Sequence, residues 1–197
     1  MSSTRSDRGL LLVISGPSGA GKGTVIADLL KKTDDTFYSV SMTTRRPRPG
    51  EVDGKNYYFV SRESFEHEIE TGGLLEYACY NDNYYGTPVR AVREQLEAGK
   101  NVILEIEVKG AAIVKERMPE ALTIFVMPPT PEILAERLRG RQTETDEEIQ
   151  NRLRIAAEEM KLAAIYDRLV VNDEVSRASD EILSIIRAER QRRMAAV

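Results

Sequence analysis

Short runs of consecutive apolar residues alternate along the chain with segments in which apolar residues recur every three or four positions. The runs are Leu10–Ser15, Val102–Val108, Leu122–Met127 and Leu169–Val171. A continuous apolar run of this length is typical of a strand buried on both faces of a parallel sheet, and the longer spacing is typical of amphipathic helices. The alternation therefore predicts an α/β fold, with a mostly parallel β-sheet flanked by helices.

Several residues mark where the helices begin and end. Thr87–Pro88 and Thr130–Pro131 each match an N-cap followed by a proline at the first helical position, and Gly99 matches the end of the first of these helices. Thr145 and Glu148 have the spacing of a capping box. The apolar positions behind that box predict a long helix and are Ile149, Leu153, Ala156, Met160 and Ala163.

The stretch Phe37–Tyr85 has a different character, because it contains seven of the eight tyrosines and several turn-forming pairs such as Asp53–Gly54 and Gly72–Gly73. It predicts a small, partly β subdomain inserted at about residues 37–87. The remaining core is expected at 9–36 and 88–190 of one domain, 9–190. An arginine-rich polar stretch at about 139–146 is expected to form a short lid, and residues 1–8 a flexible tail.

Composition limits the class of protein. The 197 residues are 41% hydrophobic and 30% charged, as in ordinary globular domains, and no apolar run is long enough to span a membrane. A single cysteine, Cys79, excludes an internal disulfide and a cysteine-based zinc site, and the sole histidine, His67, is expected on an exposed helix face.

The N-terminus and the charge favour a cytoplasmic protein. The first residues are polar and do not resemble a secretion signal. The net charge of −4 argues against a partner that is a nucleic acid polymer. Both a monomer and a homo-oligomer remain open.

A glycine-rich segment, GPSGAGKGT, joins the first predicted strand to the first predicted helix. In that context the pattern Gly-x-x-x-x-Gly-Lys predicts a phosphate-binding loop (P-loop), whose backbone N–H groups surround a nucleotide's phosphates. Its residues, the expected ATP-binding set, are Gly16, Pro17, Ser18, Gly19, Ala20, Gly21, Lys22, Gly23 and Thr24. Lys22 is expected to reach the β- and γ-phosphates.

The residue after the lysine departs from the common pattern. Gly23 stands where a serine or threonine hydroxyl usually holds Mg²⁺. No direct protein ligand is therefore expected for the magnesium cofactor. Thr24 is a candidate to hold it through water. The loop alone leaves kinases, GTPases and motor proteins open.

Four further segments resemble, in order and spacing, the motifs of guanylate kinases. They are Thr43–Glu51 (TTRRPRPGE), Asn83–Thr87 (NYYGT), Leu104–Gly110 (LEIEVKG) and Val171–Asp173 (VND). The resemblance runs from Leu10 to about Arg190. It implies a P-loop NTPase core with an inserted GMP-binding subdomain and a lid, and an enzyme that uses ATP and Mg²⁺ to convert GMP or dGMP to the diphosphate.

The resemblance also implies which residues bind GMP. Arg45, Arg48, Tyr57 and Tyr85 correspond to groups that bind its phosphate, and a planar guanidinium suits that dianion. Ser41, Glu76, Thr87 and Glu107 correspond to groups that contact guanine. Taken alone, the arginines also fit a solvated surface, the tyrosines a packed core, the two glutamates surface charge and Thr87 a helix N-cap. Many family members have aspartates where this chain has Glu105 and Glu107. The resemblance makes Glu105 a candidate to orient magnesium-bound water or to brace the acceptor arginines.

For the transfer step the resemblance implies positive charge around the γ-phosphate, from Arg141 in the predicted lid, Arg152 and, as a further candidate, Arg137. Solvent-exposed helix arginines are the alternative interpretation. Asn172 is expected near the ATP base or the loop that supports it, or else is an ordinary turn residue. Gln142 stands where the family's lid often has glycine.

Two other functions fit parts of the sequence. The segment GKGT also resembles adenylate kinases, so another nucleoside monophosphate kinase is the nearest enzymatic alternative, although Ser41, Glu76 and Thr87 favour guanine. A guanylate-kinase-like domain that binds proteins without catalysis is the other, although such modules typically have damaged phosphate loops.

Overall fold

The computed structural model describes residues 8–140 and 145–196. Residues 141–144 of the predicted lid, with Arg141 and Gln142, lie outside the described residues, as do residues 1–7 of the predicted tail.

The described strands confirm the apolar runs. They are β1 (Leu11–Ser15), β2 (Thr36–Tyr38), β3 (Met42–Thr43), β4 (Tyr58–Phe59), β5 (Leu74–Tyr80), β6 (Asn83–Pro88), β7 (Asn101–Glu105), β8 (Leu122–Met127) and β9 (Arg168–Val171). The helices are α1 (Lys22–Lys31), α2 (Arg62–Glu70), α3 (Val89–Glu97), α4 (Val108–Arg117), α5 (Pro131–Arg139), α6 (Asp146–Lys161) and α7 (Val175–Ala195).

Within the described residues the larger sheet has five strands in the order β2-β7-β1-β8-β9. Strand β2 runs parallel to β7 with Thr36 opposite Asn101, and β9 runs parallel to β8 with Arg168 opposite Ile124. All of β1 is buried, as a strand covered on both faces requires. The α/β prediction with a parallel central sheet is confirmed.

The tyrosine-rich stretch forms a second sheet, which in the described chain has four strands in the order β4-β3-β6-β5. Strand β6 is antiparallel to both β3 and β5, and Glu76 lies opposite Thr87 in the second pair. Asn81 and Asp82 connect β5 to β6 with φ angles of 46° and 58°. Such positive φ angles suit a tight hairpin turn, and asparagine and aspartate tolerate them better than most residues.

Two of the three predicted helix starts are confirmed. Thr130 accepts a hydrogen bond from the backbone N–H of Ile133, and Thr145 and Glu148 form the predicted capping box. The third is wrong: Thr87 is not the N-cap of α3, because it belongs to β6 and its hydroxyl bonds Glu76 instead. Gly99 has a φ of 78° immediately after the end of that helix, as predicted.

The apolar run that begins at Val102 is shorter as a strand than predicted. Strand β7 ends at Glu105, and Val108 is already the first residue of α4. Periodicity did not separate the two because the turn between strand and helix contains Ile106, which continues the apolar run.

The chain divides into two compact units. The first comprises Met1–Leu12, Asp35–Leu104 and Lys109–Ala121, and the second comprises Val13–Asp34, Glu105–Val108 and Leu122–Val197. The first unit contains the smaller sheet, and the second contains the phosphate loop with α1, α5, α6 and α7. The division predicted at residues 37–87 stays a prediction.

Packing in the second unit pairs α1 with α7 and α5 with α6. Lys32, the C-cap of α1, bonds Asp28, Asp180 and the hydroxyl of Ser179 on α7. The core between α5 and α6 consists of Leu134, Leu138, Ile149, Leu153 and Ala156. The capping box thus fixes the start of a helix whose next turns close this core. In the described part of the chain, no helix combines the length and the apolarity needed to cross a bilayer.

Near the end of α7, Glu189 is a nearly buried carboxylate. It accepts hydrogen bonds from Arg192 at 2.7 Å and from Arg193 at 2.8 Å. These bonds, led by that of Arg192 and opposed by burial, lower the pKa of Glu189 to about 2.

We expect Glu189→Gln to lower the free energy of unfolding at pH 7 by about 1–2 kcal/mol. A carboxyl whose pKa is lowered on folding stabilises the fold at every pH above its pKa in the unfolded chain. The difference from the unmodified protein should shrink as pH falls from about 4.5 toward 2, where the folded carboxyl also protonates. Urea unfolding at pH 7 and pH 3 measures it. Glu181→Gln, an exposed change on the same helix, is the control, and equal losses in both variants would contradict the assignment.

Candidate functional site

The phosphate loop lies so close to its neighbours that two of its glycines have no room for a side chain. Gly16 has a φ of 146°, and a Cβ atom there would lie 2.1 Å from the carbonyl oxygen of Val126. Gly21 has a φ of 85°, and its Cβ would lie 2.5 Å from Nδ2 of Asn172. The loop path therefore requires glycine at both positions, for space and for backbone conformation.

Helix α1 begins at Lys22, inside this loop, so the first unpaired N–H groups of the helix belong to the loop itself. The Lys22 ammonium donates to the carbonyl oxygens of Gly16 at 2.6 Å and Pro17 at 3.1 Å. These bonds hold the predicted phosphate-binding cation over the loop. The helix dipole and the ammonium both favour an anion at this position.

The carbonyl oxygen of Ala20 ties the loop to two other elements. It accepts from Nδ2 of Asn172 at 2.7 Å and from Nη1 of Arg137 at 3.2 Å. Nη2 of Arg137 also donates to the carbonyl oxygen of Asn172 at 2.9 Å. Both residues were predicted from sequence, and the structure places both beside the loop. Arg137 holds backbone groups with two of its nitrogens.

A cavity of about 280 Å³ opens beside these bonds. Its lining residues are Gly19, Gly21, Thr24, Arg137, Asn172 and Val175. Asn172 is 2% exposed, and its Oδ1 atom has no hydrogen-bond partner among the described residues. Because Nδ2 of Asn172 donates to Ala20, the other amide atom is an acceptor, and a buried acceptor calls for a donor.

Two residues of α6 also lie near the loop. Nη1 of Arg152 donates to the hydroxyl of Ser18 at 3.3 Å, so this residue lies beside the loop. Glu159 follows two turns later on the same helix face. Burial raises the pKa of Glu159, Lys22 opposes that shift, and the charge of Glu107 adds to it. Glu159 was not predicted, although its seven-residue spacing from Arg152 was the available signal.

The residues present fit a magnesium ion carried mainly by phosphates and water. A Cβ atom on Gly23 would lie 3.7 Å from Oε2 of Glu105, so this carboxylate faces the position where other loops carry a hydroxyl. Thr24, the residue after Gly23, is exposed. No cluster of three or more His, Cys, Asp or Glu side chains suited to a metal occurs in the described chain. Mg²⁺ commonly binds with one or two carboxylates, several waters and substrate phosphates.

In the first unit, Glu76 and Thr87 form a buried polar pair. Glu76 is 5% exposed and Thr87 is 1% exposed, and the Thr87 hydroxyl donates to Oε1 of Glu76 at 2.7 Å. The antiparallel pairing of β5 with β6 places them opposite each other. A carboxylate this buried needs hydrogen-bond donors around it.

Arg45 is the centre of a second cluster in this unit. Its guanidinium lies 5.5 Å from the ring centroid of Tyr57, and the Tyr85 hydroxyl is hydrogen-bonded to it. The rings of Tyr57 and Tyr85 pack edge to face at 5.9 Å. Sequence reasoning predicted these three residues, and the structure brings them together.

Glu51 is the partner of Arg45 that sequence reasoning missed. The bond to Glu51 is the chief cause that raises the pKa of Arg45, and the bond to Arg45 is the chief cause that lowers the pKa of Glu51. The Pro-Gly pair immediately before Glu51 was the available signal, because such a pair predicts a turn that returns the chain toward its preceding residues.

Three other predicted residues are exposed or half-buried. The Arg48 side chain is exposed, and Ser41 is half-buried with its carbonyl oxygen bonded to the N–H of Tyr58. Glu107 is exposed in the second unit, in the turn after β7 rather than at the end of the strand.

Comparison with known proteins gives one consistent family. A family model described as guanylate kinase matches residues 8–189. The guanylate kinase of Lactiplantibacillus plantarum is 54% identical over 184 residues, which cover 93% of this chain and 89% of that protein. That of Clostridioides difficile is 52% identical over 185 residues, covering 94% and 90%. The crystal structure of guanylate kinase from Anaplasma phagocytophilum superposes with a TM-score of 0.77 at 35% identity, covering 93% and 87%.

We expect Gly16→Ala to destabilise the protein by about 2–4 kcal/mol, because the new methyl group would overlap a backbone oxygen at a strained φ angle. Gly23→Ala is the matched control in the same loop. Its Cβ would meet only ordinary contacts, and alanine in a helix gains roughly 0.5 kcal/mol over glycine. Thermal and urea unfolding of both variants test this. A Gly16→Ala protein as stable as Gly23→Ala would contradict the described loop path.

Proposed function

This chain belongs to the guanylate kinase family, and we propose that it transfers the γ-phosphoryl group of ATP to GMP or dGMP. An oxygen of the GMP phosphate forms the new bond to the γ-phosphorus, and the bond to the oxygen bridging the β- and γ-phosphates breaks. The products are ADP and the nucleoside diphosphate.

The donor half is proposed to be the loop Gly16–Thr24. Its N–H groups and the start of α1 suit the phosphates of ATP. Lys22 is the cation for the β- and γ-phosphates, and the hydrogen bonds that it makes with two loop carbonyls already hold it at the loop. Arg152, at hydrogen-bond distance from Ser18, is proposed to stabilise the negative charge of the transferring group together with Arg141.

The base of ATP is proposed to occupy the cavity beside Asn172. Adenine carries an amino group at position 6, which is a hydrogen-bond donor, whereas guanine carries an oxygen there. The buried Oδ1 of Asn172 is an acceptor and therefore suits adenine. Arg137 is proposed to support this cavity and the loop together, through its bonds to Ala20 and Asn172.

The acceptor half is proposed to be the set Ser41, Arg45, Arg48, Tyr57, Glu76, Tyr85 and Thr87 of the first unit, with Glu107 from the second. Arg45 supplies a planar cation for the phosphate, and Tyr57 and Tyr85 supply hydroxyls beside it. Arg48 is exposed and close in sequence, which lets a flexible side chain add a second cation.

The buried Glu76 carboxylate is the observation that carries the choice of acceptor base. Guanine presents donors at N1 and at the amino group on C2, which match a carboxylate that accepts more than one hydrogen bond. Adenine presents an acceptor at N1 and no amino group on C2. A buried carboxylate facing an acceptor would be poorly compensated, so AMP should bind weakly.

Magnesium is proposed as the cofactor, held by ATP oxygens and by water that Glu105 and Thr24 orient. When bound, it neutralises charge on the β- and γ-phosphates. The protein's own part is positioning: Lys22 and the loop hold the donor, Arg45 and its tyrosines hold the acceptor phosphate, and Glu76 with Thr87 hold the base.

Neither alternative function gains support from the family model, the curated relatives or the crystal structure reported above, each of which is described as a guanylate kinase. Lys22 is present at the loop and Arg152 beside it. A module that only binds proteins would need neither of these charges at a phosphate loop.

We expect ADP release from ATP to be rapid with GMP and dGMP and at least about a hundredfold slower with AMP, UMP and CMP, judged by kcat/KM, because a mispaired buried carboxylate is costly. A coupled assay with each monophosphate offered separately measures this. With GMP as acceptor, ATP should also exceed GTP as donor. Faster turnover with AMP than with GMP would overturn the acceptor assignment.

We expect Lys22→Met to lower kcat by at least about a hundredfold while the protein remains folded, because the cation over the phosphates acts mainly on the transition state. Lys31→Met, an exposed change in the last turn of the same helix, is the control and should retain turnover. Steady-state rates with saturating ATP and GMP, with circular dichroism of each variant, decide the matter. Near-normal turnover of folded Lys22→Met would contradict the role of this lysine.

A further inference from the structure

A closed turn brings Glu51 back toward Arg45. Pro49 and Gly50 are the central residues of this turn, and Gly50 has a φ of 86°, as a type II turn requires. The N–H of Glu51 donates to the carbonyl oxygen of Arg48 at 3.0 Å. In return, the N–H of Arg48 donates to Oε2 of Glu51 at 2.7 Å. The turn therefore fixes the carboxylate as well as the backbone.

The Glu51 carboxylate accepts two hydrogen bonds from one edge of the Arg45 guanidinium. Nη2 of Arg45 donates to Oε1 of Glu51 at 2.8 Å, and Nη1 donates to Oε2 at 3.0 Å. Nη1 also donates to the carbonyl oxygen of Arg46 at 2.8 Å. The two side chains are 14% and 19% exposed, so water competes little for these bonds. Bidentate pairing of this kind is among the strongest and most directional in proteins.

These contacts determine which part of Arg45 is presented to a ligand. The guanidinium group of arginine has five N–H donors. The bonds to Glu51 use the edge formed by Nη1 and Nη2, and the bond to Arg46 uses Nη1 a second time. The second edge is formed by Nε and by the hydrogen of Nη2 that lies on the same side as the Nε–H group. Tyr85, whose hydroxyl bonds this guanidinium, and Tyr57, whose ring lies beneath it, belong to the same cluster.

We propose that Glu51 is a positioning residue for the acceptor phosphate: it holds Arg45 in one orientation that presents the Nε–Nη2 edge to the phosphate of GMP. The inference rests on the proposed function, in which Arg45 binds that phosphate. A free arginine side chain loses considerable rotamer entropy when it binds an anion. Glu51 restrains the side chain before GMP arrives, so less entropy is lost on binding.

A simpler electrostatic role for Glu51 predicts the opposite result. A carboxylate that only neutralised Arg45, or only competed with phosphate for it, would weaken the attraction for GMP. Its removal would then lower the KM for GMP. The direction of the change in KM therefore separates positioning from charge neutralisation.

The test is Glu51→Gln, which keeps the shape of the side chain and removes its charge and one acceptor oxygen. We expect the KM for GMP to rise by about tenfold, an effect of the size of the lost restraint, with kcat and the KM for ATP within about twofold of the unmodified protein. An unchanged or lowered KM for GMP would overturn the proposal. Urea unfolding of the variant verifies that it is folded.

The control is an arginine–glutamate pair in the same unit that lies outside the cluster. Nε of Arg62 and Oε1 of Glu66 are 3.0 Å apart on α2, with both side chains about half exposed. Glu66→Gln should leave the KM for GMP unchanged. If it raised that KM as much as Glu51→Gln does, the effect would be a general loss of ion pairs and the proposal would fail.

A second pair of variants tests whether Glu51 acts through Arg45. Arg45→Lys keeps the charge but loses the flat edge, so it should raise the KM for GMP by itself. Adding Glu51→Gln to Arg45→Lys should then have little further effect, and additive increases would contradict the proposal. The proposed function has a separate failure: no turnover of GMP by the unmodified protein. If the unmodified protein turns over GMP, and the KM for GMP rises in Arg45→Lys but not in Glu51→Gln, only the positioning role of Glu51 is contradicted.

Discussion

The path of the phosphate loop depends on close backbone packing. The carbonyl oxygen of Val126 occupies the space that a side chain on Gly16 would need, and Asn172 occupies the space beside Gly21. On the other side, Ala20 accepts hydrogen bonds from both Arg137 and Asn172. Because the loop is held from two sides, the protein's own contacts determine the position of the N-terminus of α1 and of Lys22. The proposed donor half is thus built from preorganised dipoles and charges, which are a main source of catalysis in phosphoryl transfer.

In the first unit, the charges of Glu76 and Arg45 each have a hydrogen-bonding partner. Glu76 is buried with a hydroxyl donor opposite it, and Arg45 is bound by a carboxylate that its own loop supplies. Burying an ionised group without such partners would cost several kcal/mol. The β5–β6 register and the Pro49–Gly50 turn therefore matter for chemistry, since each places a partner next to a charge.

Features that depend on neighbouring residues in sequence were predictable. The apolar runs at β1 and β8 gave their strands, and Thr145 with Glu148 gave the start of α6. The phosphate loop followed from its spacing and its place between strand and helix. Motif resemblance identified Arg45, Tyr57 and Tyr85, which the structure brings into one cluster. Each of these needs little knowledge of the rest of the fold.

Features that depend on a distant partner were not predictable. Thr87 has the local pattern of an N-cap, but its hydroxyl bonds a carboxylate on the neighbouring strand. Val108 continues an apolar run, yet it begins a helix, because apolar character alone does not distinguish a buried strand from a buried helix turn. Glu51 and Glu159 had weak local signals, a Pro-Gly turn and a helical spacing. Those signals do not reveal the cation that each carboxylate faces, which only the fold shows. Arg141 lies outside the described residues, so its predicted role stays a prediction.

The orphan acceptor at Asn172 also has a consequence for inhibitor design. A ligand that supplies an N–H to this buried oxygen would meet a need for a donor that the described residues do not meet. An aromatic amine in the 280 Å³ cavity that donates to Oδ1 would therefore occupy the place proposed for adenine without carrying any phosphate. Such a compound would avoid the high charge that keeps phosphate mimics from crossing membranes.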